Sequence, residues 1–173
     1  MSTRLTIQIL TKNEEAALPR CLASLSGLEA EVLVIDSIST DRTREIALAA
    51  GARVLEHPFV DFASQLNWGL EQASGEWVLI IDADELLDSR LRESIRETVY
   101  HPSPLSEVYS LVRDSFFLGR RMRASAWSGE RLPRLFKKGA LSYSGLVHQV
   151  PDLGGRVPGL LKGRLHHHTY RSL

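Results

Sequence analysis

Residues 79–87 read LIIDADELL: an apolar run reaches Asp82, Asp84 and Glu85, and leucine then resumes. Three acids packed into four positions repel one another and raise a carboxyl pKa unless a cation sits among them. Two carboxylates one residue apart at a strand end are able to face one ligand. Such hard oxygens suit Mg²⁺ or Mn²⁺, which complete their shells with water and substrate oxygens. An isolated Asp-Ala-Asp is more often part of a helix start, here with Asp84 or Glu85 capping a helix that opens near Asp88 and Ser89. The choice turns on what kind of element the tripeptide ends.

Upstream, short apolar runs alternate with amphipathic ones. LTIQIL (5–10) reads as a strand, and Asn13 is placed to cap a helix through EEAALPRCLASLSGL, where Leu18, Cys21, Leu22 and Leu25 recur at helical spacing and Gly27 stops it. EVLVIDS (31–37) is a second strand. Ser39 or Asp41 then caps a helix with Ile46 and 48–50 on its apolar face, closed by Gly51. ARVLEH (52–57) is a third strand, DFASQLNWGLEQASG a third helix with Phe62, Leu66 and Leu70 on one face, and EWVLIID a fourth strand. Continuous apolar strands separated by helices predict an α/β fold with a mostly parallel, doubly wound sheet and right-handed crossovers. Ligands of such sheets bind beyond the carboxyl ends of the strands. Residues 11–14, 36–39 and 82–85 should therefore converge at one edge, which favours ligand chemistry at Asp82 and Asp84 over a cap.

Beyond residue 100 the pattern changes. HPSP is a turn, EVYSLVRDSFFLG (107–119) reads as a strand, and RLPRLFKKGALSY as short strands joined by KKG. The chain of 173 residues, 43% apolar and 24% charged, is long enough for one globular domain. The expected division is a nucleotide-binding half, 1–100, and an extension, 101–173, that completes the sheet and roofs the site. The one cysteine, Cys21, excludes an internal disulfide and a thiolate zinc cluster. With no signal-peptide pattern and no run of 18 apolar residues, a cytoplasmic setting is expected. The zero net charge is unevenly spread: residues 1–112 carry 9 basic and 18 acidic side chains, and residues 113–173 carry 12 and 3. Either the basic part holds phosphates or an anionic membrane surface, or the two parts simply pair across one fold.

ILTKNEE, VIDSISTDRT, the QLN of FASQLNWGL and WVLIIDADE together resemble glycosyltransferase family 2 on the GT-A fold. GERLPRLF and VHQ are similar to the subgroup that includes lipopolysaccharide-core glucosyltransferases, and the likeness runs from Leu5 to about Tyr170. The resemblance implies that Thr11, Lys12 and Asn13 line the base pocket, that Asp36 accepts a hydrogen bond from base or ribose, and that Asp82 faces the ribose. It implies that Asp84 binds a Mg²⁺ or Mn²⁺ ion bridging the donor diphosphate, with Glu85 in a supporting or capping place. Asn67 is the candidate for a further donor contact and Gln65 the weaker one, an exposed helix face being the alternative for both. Glu130, where the subgroup has Asp, is the candidate base that takes the acceptor proton, against an ion pair with Arg131 or Arg134. His148 is a third metal or diphosphate contact or else structural. Arg131, Arg134 and Lys137 grip phosphates or form a solvated face. Of His166, His167 and His168, in a final strand, at most one is functional.

Two departures stand out. Ile38 replaces the glycine usual at its position, and a β-branched residue resists positive φ, so this loop is expected to take a different path. The chain also ends at HHHTYRSL, where relatives continue into helices, so a short or truncated end and loss of activity are alternatives. The expected activity is inverting, metal-dependent transfer from a nucleotide-sugar donor to an envelope glycolipid or glycan acceptor at the inner face of the cytoplasmic membrane. Peripheral membrane association fits this and no nucleic-acid partner is expected; sugar, base and oligomeric state are open. A nucleotidyltransferase is the first alternative, although LTKNEE is not a Gly-rich phosphate loop. A non-catalytic nucleotide-sugar-binding module is the second.

Overall fold

The apolar runs become strands, and their order places the acidic turn at the centre of the molecule. The computed structural model describes residues 3–117, 120–122, 128–145 and 150–169. In chain order the elements are β1 (Leu5–Thr11), α1 (Leu18–Ser24), β2 (Ala30–Asp36), α2 (Thr43–Ala49), β3 (Arg53–Glu56), α3 (Phe62–Gln72), β4 (Trp77–Asp82), β5 (Glu85–Leu87) and α4 (Ser89–Tyr100). There follow β6 (Val108–Phe117), β7 (Arg120–Arg121), β8 (Ser128–Lys137), β9 (Ser142–Ser144), β10 (Val150–Asp152), β11 (Gly159–Leu160) and β12 (Leu165–Thr169).

The first four strands form the expected parallel unit in the order β3-β2-β1-β4, with Thr11 in register with Asp36 and Leu10 with Asp82. All three polar loops therefore leave the same edge. The sheet continues β4-β8-β6-β12-β5, antiparallel at β4·β8, β8·β6 and β12·β5. This continuation is curled. β4 and β5 lie four strand spacings apart along the sheet, about 19 Å if it were flat, yet Asp82 and Glu85 are three Cα–Cα steps apart, which reach at most about 11 Å. The short connection draws the sheet round, so side chains from β5, β6, β8 and β12 face the tip of β4.

Two apolar clusters hold the faces. One packs Leu18, Cys21, Leu91 and Ile95 of α1 and α4 against Ile7, Ile9, Leu79 and Ile81, and the other packs Ala63 and Leu66 of α3 with Leu33, Val78, Ile80 and Phe136. Leu33, Val78, Ile80 and Phe136 are fully buried, which makes the central strands the best-protected part of the molecule. α3 lies close to β1 because Gly69 presents no side chain there: a Cβ would come within 2.6 Å of the Gln8 amide nitrogen.

Local signals were less dependable than strand patterns. α1 begins at Leu18, not after Asn13, and its N-cap residue Ala17 makes no side-chain cap. Asn13 instead occupies the left-handed region, φ 56, and its Oδ1 accepts from Thr40 N at 2.8 Å. α2 opens behind Arg42, with Asp41 accepting from Thr43 N at 3.0 Å. Asp61 and Asp88 cap α3 and α4 through Ser64 N and Leu91 N. Asp84 and Glu85 therefore do not cap α4.

Candidate active site

The three loops at the carboxyl edge enclose a cleft of about 820 Å³. Its lining combines charged side chains, Lys12, Glu14, Asp82, Asp84 and Arg134, with apolar ones, Ile38, Pro58, Phe59, Phe62 and Leu66. Phe59 and Phe62 meet edge to face with ring centroids 5.0 Å apart, and both stay half-exposed at the mouth. A ligand with a flat apolar part and an anionic part matches this lining.

Thr11 and Lys12 reach the cleft, each already held by the neighbouring loop. Thr11 Oγ1 donates to Asp36 Oδ1 at 2.8 Å, and Lys12 Nζ donates to the carbonyls of Ser37 and Ile38 at 2.9 and 2.6 Å. Ile38 is at φ 59, so the loop keeps the positive φ that glycine would supply, contrary to the different path its side chain suggested. Lys12 bonding to the carbonyls on either side of that strained bond is what holds it there.

Asp36, Asn13 and Asn67 do not face the cleft. Asp36 has no exposed surface; Ser39 N and Oγ donate to it at 2.7 and 2.6 Å, in addition to Thr11. So enclosed, the carboxylate joins the ends of β1 and β2 and shows no surface for the base or ribose contact expected of it. Asn67 uses its whole amide on β9, donating to Tyr143 O at 2.8 Å and accepting from Tyr143 N at 2.9 Å. It clamps β9 to α3 and is not an exposed helix residue. Gln65 is buried too, with Oε1 2.7 Å from His57 Nδ1 and Nε2 donating to His57 O at 3.1 Å. Both readings of this helix as a solvated face are corrected.

At the tip of β4, Asp82 is half-exposed and Arg134 Nη2 donates to its Oδ2 at 3.2 Å. Asp84 Oδ2 lies 3.1 Å from His167 Nε2, a bond that raises the imidazole pKa above its ordinary 6.5. Glu85 is fully buried behind them: its Oε2 accepts from Asp82 N at 2.8 Å and its Oε1 from Arg113 Nη1 at 3.3 Å. Burial pushes the Glu85 carboxyl up to about 7, helped by the Asp82 charge and opposed by Arg134 and Arg113. Glu130 projects from β8 opposite Arg113, whose Nη2 donates to it at 2.7 Å; it does form an ion pair, the alternative to a base, but with Arg113 in place of Arg131 or Arg134. His148 lies outside the described residues.

Arg113 and Glu14 join the site beyond the residues singled out for it, and Arg134, one of the candidate phosphate grips, and His167, one of the three candidate histidines, stand there as well. Two had a sequence signal. Arg113 interrupts an apolar strand, and period-two alternation sets His167 on the opposite face from its two histidine neighbours. Among the described residues no group of three His, Cys, Asp or Glu is arranged to hold a metal by itself. The carboxylates of Asp82 and Asp84 nevertheless suit a hard cation that takes its remaining oxygens from water or a bound anion. Glu14 carries the sign of uncompensated charge: its pKa is raised by burial and then by Asp84, Asp41 and Asp82.

The model for glycosyl transferase family 2 matches residues 6–151. The chain is 33% identical over 168 residues to LpsC, a lipopolysaccharide core biosynthesis glycosyltransferase of Rhizobium meliloti, covering 92% of this chain and 61% of that protein. An uncharacterized glycosyltransferase of Rickettsia typhi is 40% identical over 87 residues, half of this chain and 30% of its own length. The chain thus spans about a third to three-fifths of these relatives. Among solved structures, S. aureus TarS 1–349 in complex with UDP-GlcNAc is similar with TM-score 0.72 and 15% identity, covering 98% of this chain and 60% of that one. The mannosyltransferase PcManGT of Pyrobaculum calidifontis, in complex with GDP-Man and Mn²⁺, gives TM-score 0.55 and 26% identity over 65% of this chain and 36% of its own. The TarS likeness shows the GT-A fold, and the family match takes in every loop that builds the cleft. The chain belongs to glycosyl transferase family 2.

Proposed function

We infer that this chain forms the donor site and transfer site of an inverting, divalent-metal-dependent glycosyltransferase. The observation that carries this is the pair Asp82 and Asp84 at the tip of β4, on the wall of a cleft lined by both charged and apolar side chains. The donor is a nucleotide sugar whose base lies toward Ile38, Phe59 and Phe62, and whose diphosphate lies toward Lys12, Asp84 and Arg134. Bound Mg²⁺ or Mn²⁺ would neutralise charge on the leaving diphosphate. Asp84 would hold the ion, with His148 as a further contact. His167 keeps the Asp84 carboxylate oriented, and Arg134 holds Asp82 toward the ribose side.

Glu130 is the base in this reading, taking the acceptor hydroxyl proton while the nucleoside diphosphate departs from the opposite face of the sugar. Its partial exposure leaves it open to an acceptor. Identity with LpsC supports an envelope glycolipid or glycan as that acceptor, at the inner membrane face. Among the described residues no helix is long and apolar enough to cross a membrane, which is compatible with peripheral attachment.

Thermal denaturation with UDP, GDP, UDP-GlcNAc and GDP-mannose, each with and without Mn²⁺, tests the donor site. Ligand at 100 times its Kd stabilises by about 2.7 kcal/mol. A shift that needs both nucleotide and Mn²⁺, and that Asp84→Ala abolishes, is expected. A shift unaltered by Asp84→Ala would remove the metal role. Binding without any donor hydrolysis or transfer, together with a Glu130→Gln variant indistinguishable from wild type, would leave a binding module in place of a transferase.

A further inference from the structure

Arg113 sits inside an apolar strand and divides its guanidinium between acids from two different strands. Nη1 meets Glu85 Oε1 at 3.3 Å and Nη2 meets Glu130 Oε2 at 2.7 Å. An arginine that serves a single ion pair commonly directs two parallel bonds at one carboxylate. Here that arrangement is forgone, and Nε is left buried with no partner among the described residues. The geometry holds two acids at once and neither as strongly as it could.

The two acids differ in how they are fixed. Glu85 has no exposed surface and is tied to the acidic turn by the bond from Asp82 N, so its position follows the tip of β4. Glu130 has a side chain 37% exposed, and Arg113 is the partner shown for it. A glutamate with that much freedom samples several rotamers unless something holds it. We propose that Arg113 is a positioning residue, which sets the Glu130 carboxylate in a fixed place relative to the Asp82–Asp84 turn by bridging it to Glu85. The proposal rests on Glu130 being the base. It explains why a guanidinium stands here: an ammonium is a single point charge, and does not present two fixed donors to two acids.

Crystal structures of the full chain as wild type, Arg113→Gln and Arg113→Lys test the geometry whatever the substrate. The Glu130 carboxylate is expected to move by more than about 1 Å in Arg113→Gln, and a displacement of that order costs about 10²-fold in rate. An unmoved carboxylate in both variants overturns the proposal. Release of UDP from UDP-GlcNAc and of GDP from GDP-mannose, with Mn²⁺, gives the second readout. Arg113→Gln should lower kcat about 10²-fold, with partial recovery in Arg113→Lys, while the Kd for UDP or GDP by calorimetry stays within about twofold. A kcat unchanged, or a Kd that worsens in step with it, counts against a positioning role. If Arg113→Gln does not fold, Arg113→Lys carries both measurements. Glu130→Gln separates the two ideas. A rate loss of about 10²- to 10⁴-fold there with an unaffected Arg113→Gln sinks the positioning inference alone, whereas full activity in Glu130→Gln sinks the base.

Discussion

Ile38 shows what a single residue contributes to the cleft and what it costs. It is a β-branched residue at φ 59, half-exposed on the apolar wall. An L-residue in the left-handed region loses about 1–2 kcal/mol, and a glycine there would restore most of this less about 0.5–1 kcal/mol of chain entropy. Ile38→Gly is therefore expected to raise the unfolding free energy by roughly 0.5–1 kcal/mol in a urea titration. A midpoint that falls would mean that apolar contact, not backbone strain, dominates at this position. Strain kept at a ligand wall is a recurrent property of functional sites, so the same variant should weaken UDP or GDP binding while it stabilises the fold. The Ile38 side chain was legible as a departure from its family. Its retained conformation was not, because the two carbonyl bonds from Lys12 that enforce it join residues 25 and 26 positions apart.

At the scale of elements, the strands were readable and the partners of their polar residues were not. Buried parallel strands announce themselves as continuous apolar runs, and each of the first four was found within a residue or two of its bounds. A polar residue, in a strand as in a helix, gives no comparable signal, since its partner is set by the tertiary arrangement. Asp36 bonds back to β1, Asn67 reaches β9 and Glu130 reaches β6. Glu31 of β2 is a further example, and one with a measurable consequence. Its carboxylate accepts from Thr6 Oγ1 of β1 at 2.7 Å, from Ser74 Oγ ahead of β4 at 2.7 Å and from Arg53 Nη1 of β3 at 3.2 Å, tying three strands and the loop before β4 at the edge opposite the cleft. Burial pushes its pKa up, and these bonds from Ser74, Thr6 and Arg53 together reverse that and leave it below the ordinary 4.5. A depressed folded-state pKa gives stability that is complete above the unfolded value and is lost as pH falls through the folded one. Glu31→Gln should therefore destabilise the protein at pH 7, and flatten its loss of stability below about pH 4.5, in denaturation curves taken across that range. Parallel curves for variant and wild type below pH 4.5 would show that the bonds do not favour the ionised form.

On the scale of the whole molecule, the acidic and basic parts share one sheet and pair across it. Arg134 meets Asp82, Arg113 meets Glu85, Lys137 meets Glu76 and Arg156 meets Glu107, so much of the charge asymmetry is spent in pairing across the fold. These pairs are joined by apolar contact. β8 lies directly on β4, with Phe136 in register with Val78 and both fully buried, and β5 has β12 as its neighbour at the end of the sheet. Both parts line the cleft, Arg134 standing there beside Asp82 and Asp84. A fragment comprising residues 1–104 keeps the β3-β2-β1-β4 unit but exposes the edge of β4 and the apolar side chains that β6 and β8 cover. An unpaired, apolar edge of this kind templates association with other chains. The fragment should show no sharp thermal transition, should aggregate at micromolar concentration, and should give no Mn²⁺-dependent shift with UDP or GDP. A soluble fragment with a cooperative transition and an intact shift would show instead that the parallel unit folds by itself. The carboxylates of β4 would then suffice for the nucleotide, and Arg134 would act only after it is bound.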